Sequence, residues 1–189
     1  MNDNESIARF CQYLGEYFQY ITRTSSDEIT LELEFKHSRT YAEIQNIRFK
    51  NRIEVDFAEL PEACAAYQVP RLILQPIVEN AYKYGLEKKR SLGIIRVRTV
   101  VAEHALFVSV EDNGQQLSDE QLGDLSRKLQ IPLQGDEMEY TGLLNVQRRL
   151  QIRFGQDYGV QVSRGSMGGL LVRLKMPWPA PDNQQEKGG

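Results

Sequence analysis

Hydrophobic residues recur along the chain with two spacings, the three-and-four spacing of amphipathic helices and the two-residue spacing of half-buried strands. Residues 7–21 form the first helical pattern, whose apolar face is unusually rich in aromatic side chains. A second helix is predicted from Thr30, a suitable N-cap residue, to about Phe49, with Glu32 and Glu34 placed favourably in its first turn. Two amphipathic helices therefore precede the first predicted strand.

The third helical pattern covers residues 70–85 and contains the most unusual combination of side chains in the chain. Pro70 suits the first turn of a helix, and Gly85 is expected to end it in the left-handed conformation. The stripe expected to face the core comprises Leu72, Ile73, Pro76, Ile77, Asn80, Ala81 and Tyr84. The polar residues of the last turns are Glu79, Asn80, Lys83 and Tyr84. A purely structural helix has little use for them.

The remaining predicted elements are five short strands and two helices. The strands are expected at residues 52–57, 94–101, 106–110, 160–163 and 170–176. Ser118 with Gln121 three residues later predicts a capping box at the start of one helix, and Thr141-Gly142 precedes the other, which Gly155 is expected to close. This element order predicts an α/β fold, a two-layer sandwich in which helices cover one face of a mixed sheet, preceded by an N-terminal helix.

Two polar segments lack a periodic pattern. Residues 131–140 contain Pro132 and Gly135 and are predicted to form a mobile loop. The tail at residues 179–189 is polar and is predicted to be disordered. Neither segment is expected to contribute to the core.

Composition and charge limit the classes of partner. The chain has 189 residues, and its 23 basic and 26 acidic side chains give a formal net charge of −3 without a basic block. This argues against nucleic-acid binding and against electrostatic binding to membranes, and no apolar run approaches the roughly 20 residues of a membrane span. Cys11 and Cys64 lack metal-ligand spacing and are predicted to be reduced thiols, which fits the cytosol.

Three stretches together predict a binding site for a nucleotide. Asp112 at the end of a strand can accept a hydrogen bond from an exocyclic amine, while Gly114 beside it lets a flat ring approach the backbone. Gly142 at a helix N-terminus offers backbone amides to phosphates. Asn80 can supply an oxygen to a magnesium ion and Lys83 a positive charge. Taken singly, an ordinary turn or a packing glycine explains each feature, so the prediction depends on their combination.

In this order the motifs resemble those of the sensor histidine kinases of two-component systems, specifically the LytS-like branch, whose catalytic domain has the Bergerat-type (GHKL) ATP-binding fold. Residues 74–85, LQPIVENAYKYG, are similar to the family motif LQPLVENAIKHG. Residues 31–49 resemble its upstream segment, and Asp112-Asn113-Gly114, residues 142–150 and the Gly168-Gly169 strand follow in the family order. The resemblance covers roughly residues 5–177.

The resemblance implies roles for individual residues. Asn80 would bind Mg²⁺, Asp112 would bind the adenine amine, and Gly114 and Gly142 would shape the pocket. Further nucleotide contacts are expected from Lys83, Tyr84, Thr141 and Leu143. Residues 130–140 would form a lid over ATP.

Glu79 has two interpretations. By the resemblance it is the candidate catalytic residue that activates the acceptor histidine. A buried structural carboxylate is the alternative interpretation for the same position. The sequence leaves both open.

The chain departs from the family pattern at three positions near the expected nucleotide. Gln116 and Tyr140 stand where the family has glycines, and Tyr84 stands where it has histidine. Both lost glycines would narrow the room for backbone beside the nucleotide. The departures motivate a rival hypothesis, a degenerate pocket domain that acts as a protein-interaction module. A gyrase-like or chaperone-like ATPase would have the same fold, but the sequence of residues 75–85 does not match those families.

The phosphoacceptor histidine of the family has no counterpart in this chain. His37 lies on a predicted helix and His104 in a predicted hairpin, and each is interpreted as a packing or solvated histidine. Residues 1–24 are therefore expected to be the end of the dimerisation and phosphoacceptor region, residues 25–178 the ATP-binding catalytic domain, and residues 179–189 a tail. The isolated chain is expected to lack autokinase activity.

The leading hypothesis is thus a catalytic fragment that transfers the γ-phosphoryl group of ATP to a histidine outside this chain. Its expected partners are ATP, Mg²⁺, a response regulator and, through the N-terminal helix, a second copy. The resemblance places it in the cytoplasm as part of a membrane-anchored bacterial protein, with any membrane contact made by segments outside this chain.

Overall fold

The structure, a computed structural model, describes residues 3–23, 26–50, 52–87, 89–115, 117–130 and 142–178. The helices are α1 (Asp3–Arg23), α2 (Leu31–Arg48), α3 (Glu62–Ala65), α4 (Gln75–Asn80) with its π-helical continuation Ala81–Leu86, α5 (Asp119–Gln130) and α6 (Gly142–Phe154). The strands are β1 (Glu28–Thr30), β2 (Ile53–Phe57), β3 (Gln68–Pro70), β4 (Gly93–Ala102), β5 (Ala105–Asp112), β6 (Gly159–Arg164) and β7 (Leu170–Pro177). The predicted loop 131–140 and the predicted tail 179–189 lie outside the described residues.

The main sheet has five strands in the order β2-β4-β5-β7-β6. The β2 and β4 strands are parallel, and the other neighbours are antiparallel. One face of the sheet packs on the helices through alternate residues of β4 and β5, such as Val97 and Val108, whereas Arg96 and Val100 lie exposed. The predicted mixed sheet with helices on one face and an N-terminal helix is confirmed.

Several local predictions are confirmed by side-chain contacts. The Thr30 hydroxyl accepts the Leu33 amide at 3.3 Å and caps α2. Ser118 and Gln121 form both bonds of a capping box, at 2.9 and 3.1 Å. Gly155 ends α6 with a φ of 98°, where residues with a side chain are strained. Short-range polar patterns therefore marked these helix ends correctly.

The predicted start of the helix at residues 70–85 is wrong. Residues 68–70 pair with β1 as β3, and Leu72 has a φ of 56°, which an α-helix does not contain. The helix begins only at Gln75 and runs through the π-helical turn to Leu86. Gly85 does not end it in a left-handed conformation. The missed β1–β3 pair joins residues 38 to 42 positions apart, which local periodicity does not reveal.

The face that this helix buries also differs from the predicted stripe. The residues that pack into the core are Ile73, Leu74, Ile77, Val78, Ala81, Tyr82 and Leu86. Tyr84 is 56% exposed, and Asn80 is only half-buried. The wrong prediction arose from treating a proline, an amide and a phenol as core residues, although all three lie to one side of the buried face.

Polar residues of α2 are more deeply buried than the sequence indicated. Glu34 was expected to act beside the helix N-terminus but is fully buried, and His37, Ser38 and Thr40 are buried with it. His37 is therefore a packing histidine, while His104 is exposed in the β4–β5 hairpin. Cys64 is buried, Cys11 is exposed, and both are free thiols.

His37 lies against the aromatic side chains of α1. Its ring stacks on Tyr17 and Tyr20 at centroid distances of 4.9 and 3.7 Å. Its Nε2 lies 2.6 Å from Oε1 of Gln75, which can only accept, so Nε2 carries the hydrogen. Burial lowers the pKa of His37 to about 4; the bond to Gln75 opposes this shift and the charge of Arg71 adds to it.

Acidification is expected to destabilise the fold through His37. The pKa of His37 is about 6.5 in the unfolded protein and about 4 in the folded protein. The contribution of neutral His37 to folding stability is therefore complete above pH 6.5 and is lost as the pH falls towards 4. At pH 5 the loss is about 2 kcal/mol. Urea unfolding of wild type and His37→Phe at pH 7.5 and pH 5 measures it, with the exposed His104→Phe as control. An equal pH dependence in all three proteins would contradict the prediction.

Candidate functional site

A cavity of about 310 Å³ opens where α4, β5, α5, α6 and β7 meet. Its lining residues are Asn80, Tyr84, Gly85, Asp112, Gly114, Leu117, Gln121, Leu125, Leu143, Gly169 and Leu170. Most of this lining is apolar, and the polar groups are few. Such a cavity suits a flat, mostly apolar group that is oriented by a small number of hydrogen bonds.

Asp112 is the buried acidic group of this cavity. It is the last residue of β5, and its Oδ1 accepts the Gly114 amide at 2.7 Å. Burial raises the pKa of Asp112, against the effect of the amides of Gly114 and Leu170. A carboxylate held in this way at the wall of an apolar cavity can accept a hydrogen bond from an amine of a bound ring.

Three glycines enclose Asp112. A Cβ on Gly85 would lie 2.8 Å from Asp112 Cγ, and one on Gly114 would lie 2.5 Å from the Gly85 carbonyl oxygen. A Cβ on Gly169 would lie 2.7 Å from the Gly114 amide nitrogen and closer still to Asp112. The close approach of three backbone segments therefore requires glycine at all three positions.

The middle residue of the Asp-Asn-Gly turn has a structural role. The Asn113 Oδ1 accepts the Ile94 amide at 2.9 Å, and its Nδ2 donates to the Leu92 carbonyl at 3.2 Å. Lys89 also donates to the Asn113 carbonyl, at 2.9 Å. These bonds fasten the turn to the start of β4 and thereby fix Asp112.

The predicted site residues do not all meet in the cavity. Those that line it are Asn80, Tyr84, Asp112, Gly114 and Leu143. Lys83 is exposed, with its Nζ 4.9 Å from the Tyr84 ring centroid. Gly142 starts α6 but packs against Pro76, where an added Cβ would lie 3.0 Å from the proline Cβ. Thr141, Gln116 and Tyr140 lie outside the described residues, as does all of the predicted lid except Gln130.

Glu79 is exposed on the surface of α4 and does not line the cavity. The interpretation as a buried structural carboxylate is therefore wrong. An exposed carboxylate can meet a group presented by another segment or another chain, and the role of Glu79 as an activating residue stays a prediction.

Sequence reasoning missed the contributions of Gly85 and Gly169. Gly85 was interpreted only as a helix end, and the Gly168-Gly169 pair only as part of a strand. Leu117, Gln121, Leu125 and Leu170 were likewise not assigned to the site. The double glycine was the available signal, but which side chain it approaches depends on the pairing of β5 with β7.

Asn80 lines the cavity with a side chain that could bind a divalent metal. Its amide oxygen is a hard ligand, and Mg²⁺ commonly takes one or two protein oxygens, with waters and substrate phosphates completing its shell. Within the described part of the chain, no cluster of three His, Cys, Asp or Glu side chains forms a metal site. The donor set therefore fits a metal that arrives with a phosphate-bearing ligand.

Comparison with known proteins relates this arrangement to one family. The family model described as histidine kinase matches residues 1–53. The sensor histidine kinase BtsS of Escherichia coli is 30% identical over 176 residues, which cover 93% of this chain and 28% of BtsS. The sensor protein LytS of Enterococcus faecalis is 27% identical, with 93% of this chain and 29% of LytS covered. The chain thus spans less than a third of these relatives.

Solved structures show the same fold at low identity. The ATP binding domain of PrrB from Mycobacterium tuberculosis superposes with a TM-score of 0.54 and 15% identity, covering 82% of this chain and 100% of that domain. The histidine kinase ThkA in complex with the response regulator TrrA gives 0.55 and 16%, covering 93% of this chain and 49% of that one. No helix in the described ranges is long and apolar enough to cross a membrane. Motifs, fold and relatives therefore all match the chain to the histidine-kinase portion of sensor histidine kinases.

Proposed function

We propose that this chain binds ATP with Mg²⁺ and transfers the γ-phosphoryl group to a histidine presented by a segment outside it. The observation that carries this proposal is the cavity in which Asp112, enclosed by three glycines, and Asn80 line the same space. A purine ring fits against the glycines, with its amine donating to Asp112. The apolar wall, which includes Leu125 and Leu143, would exclude water from the ring faces.

Phosphoryl transfer of this kind depends on positioning and charge neutralisation. Asn80 would hold the metal, which neutralises phosphate charge when bound. Lys83, on the exposed side of the same helix, would reach phosphates that project from the cavity. We assign the contact with the acceptor histidine to Glu79, because it is exposed and precedes the cavity residue Asn80 in the chain. Gly142 and Leu143 begin the helix expected to face the phosphates, and Thr141 before them is proposed as a further nucleotide contact.

The proposal extends to the whole protein. Residues 1–24 would belong to a dimerisation and phosphoacceptor region and residues 25–178 to the catalytic domain. ThkA was solved in complex with a response regulator, which supports such a partner here. A homodimer through α1 and a cytoplasmic position in a membrane-anchored sensor are parts of the same proposal.

Titration calorimetry with ATP and ADP, with and without Mg²⁺, tests the proposed function. Asn80→Ala is expected to abolish most of the gain in affinity that Mg²⁺ gives, about tenfold or more, since a hydrogen bond or ligand to a charged group is lost. Binding without Mg²⁺ should change little. Gln161→Ala, an exposed amide on β6, should behave as wild type.

Two outcomes would count against the proposal. Absence of binding to wild type at millimolar nucleotide would refute it for this chain and favour the protein-interaction module. In that case, adding the histidine-bearing segment with ATP should give no phosphohistidine. Steady ATP hydrolysis without any acceptor would instead favour a gyrase-like or chaperone-like ATPase.

A further inference from the structure

A second buried carboxylate lies outside the cavity, at the junction of α1, α2 and the segment before α4. The side chain of Glu34 is fully buried. Its Oε1 accepts the Leu72 amide at 2.5 Å, and its Oε2 accepts the amides of Ile73 and Leu74 at 3.1 and 3.0 Å. Three consecutive backbone amides therefore converge on one carboxylate.

These bonds determine how α4 begins. Leu72 has a φ of 56°, and Leu74 occupies the N-cap position without a side-chain cap of its own. The Glu34 carboxylate accepts the backbone amides of the three residues that lead into α4, the last of which, Leu74, is the N-cap residue. Because α4 leads directly to Asn80, a shift at its first turn changes the position of Asn80 in the cavity.

The same carboxylate is bonded to the N-terminal helix. The Tyr20 hydroxyl of α1 donates to Glu34 Oε1 at 2.8 Å, and the guanidinium of Arg71 lies 5.5 Å from the Tyr20 ring centroid. A direct bond from this helix to α4 is made by Tyr17, whose hydroxyl accepts Gln75 Nε2 at 2.9 Å. Tyr17 thus contacts α4 itself, and Tyr20, one turn away on α1, is connected to residues 72–74 through Glu34.

We propose that Glu34 is a positioning residue that couples the placement of α1 to the geometry of the nucleotide site. The inference rests on the proposed function and adds a route by which the helix that enters the domain influences it. When the Tyr20 hydroxyl donates to Glu34, the carboxylate binds the amides of residues 72–74 and fixes the position of α4. When α1 shifts, Glu34 loses a donor and the start of α4 loosens. By linkage, a nucleotide that orders α4 also favours the bonded position of α1.

Hydrogen exchange on the whole chain tests the link without nucleotide. Tyr20→Phe removes one hydroxyl from α1 and is expected to speed the exchange of the amides of residues 72–74 about three- to tenfold, as expected for the loss of one buried hydrogen bond. Tyr13→Phe makes the same chemical change on α1, and within the described residues Tyr13 makes no hydrogen bond to α4. Its exchange at residues 72–74 should equal that of wild type.

Affinity for MgADP tests the functional part. Glu34→Gln replaces one acceptor oxygen with an amide that faces backbone donors, and it is expected to weaken MgADP binding about tenfold. Glu32→Gln, an exposed carboxylate in the same turn of α2, should leave binding unchanged. If Glu34→Gln does not fold, Tyr20→Phe, with an expected weakening of about threefold, serves in its place.

The outcomes separate this inference from the proposed function. Unchanged exchange at residues 72–74 in Tyr20→Phe would overturn the link, as would equal MgADP affinity in Glu34→Gln and Glu32→Gln. If wild type binds no MgADP, the proposed function fails and the nucleotide part of the inference fails with it. The exchange experiment would still decide whether Glu34 connects α1 to α4.

Discussion

Asp112→Asn is expected to lower the affinity for ATP and ADP by about 10- to 100-fold. The substitution keeps the size of the side chain but places an amide where the purine amine requires an acceptor. Loss of a hydrogen bond that involves a charged group, with a donor left facing a donor, accounts for this magnitude. Calorimetry with MgADP measures it. Preference for ATP over GTP should also fall, because the base amine is what Asp112 distinguishes.

Asp157→Asn is the matched control for this experiment. Asp157 is exposed and does not line the cavity, so the variant should bind MgADP as wild type does. Equal affinities for Asp112→Asn and wild type would contradict the assigned role of Asp112. A normal melting temperature in Asp112→Asn would confirm that lost binding does not reflect lost folding.

Gly169→Ala is expected both to destabilise the fold and to abolish nucleotide binding. Its Cβ would lie 2.7 Å from the Gly114 amide nitrogen and closer to Asp112, so backbone must move. Overpacking of this kind costs about 2 to 3 kcal/mol. The displaced group is the carboxylate that faces the proposed purine, and binding should therefore fall more than stability alone explains. Urea unfolding and calorimetry on the same preparation measure the two effects.

Gly123→Ala makes the identical change where space is open. Gly123 lies in α5, and apart from its own helix backbone no atom of the described residues lies within 4 Å of an added Cβ. Because alanine favours helix, this variant should gain about 0.5 to 1 kcal/mol in stability and bind MgADP normally. If Gly169→Ala were as stable as Gly123→Ala, the close approach around Asp112 would not be a real constraint.

Local patterns predicted much of the fold because their causes are local. Thr30, Ser118 and Gly155 mark helix ends by bonds or dihedral angles within a few residues. The alternation of β4 and β5 follows from one buried face. The prediction that Pro70 opens a helix was wrong because that segment is fixed by hydrogen bonds to residues far away in sequence. Residues 68–70 pair with β1, and the amides that follow bind Glu34.

The site was predictable in part for the same reason. Asn80, Asp112 and Gly114 belong to motifs whose side-chain chemistry can be recognised from the sequence. The structure places all three around one cavity. Gly85 and Gly169 were not recognised as site residues. Their function is to have no side chain where Asp112 passes, a property that exists only between segments.

By itself, the sequence determined the main helices and strands, several helix caps, the mixed sheet and the residues proposed to bind a purine and a metal, because periodicity, capping and side-chain chemistry act over short separations. Only the tertiary structure decided that Gly85, Gly114 and Gly169 converge on one carboxylate and that Glu34 binds the backbone amides of the segment that leads into α4. Both depend on contacts between residues tens of positions apart. Burial removes water from these backbone amides and carboxylates. The fold is therefore stable only where they hydrogen-bond to each other.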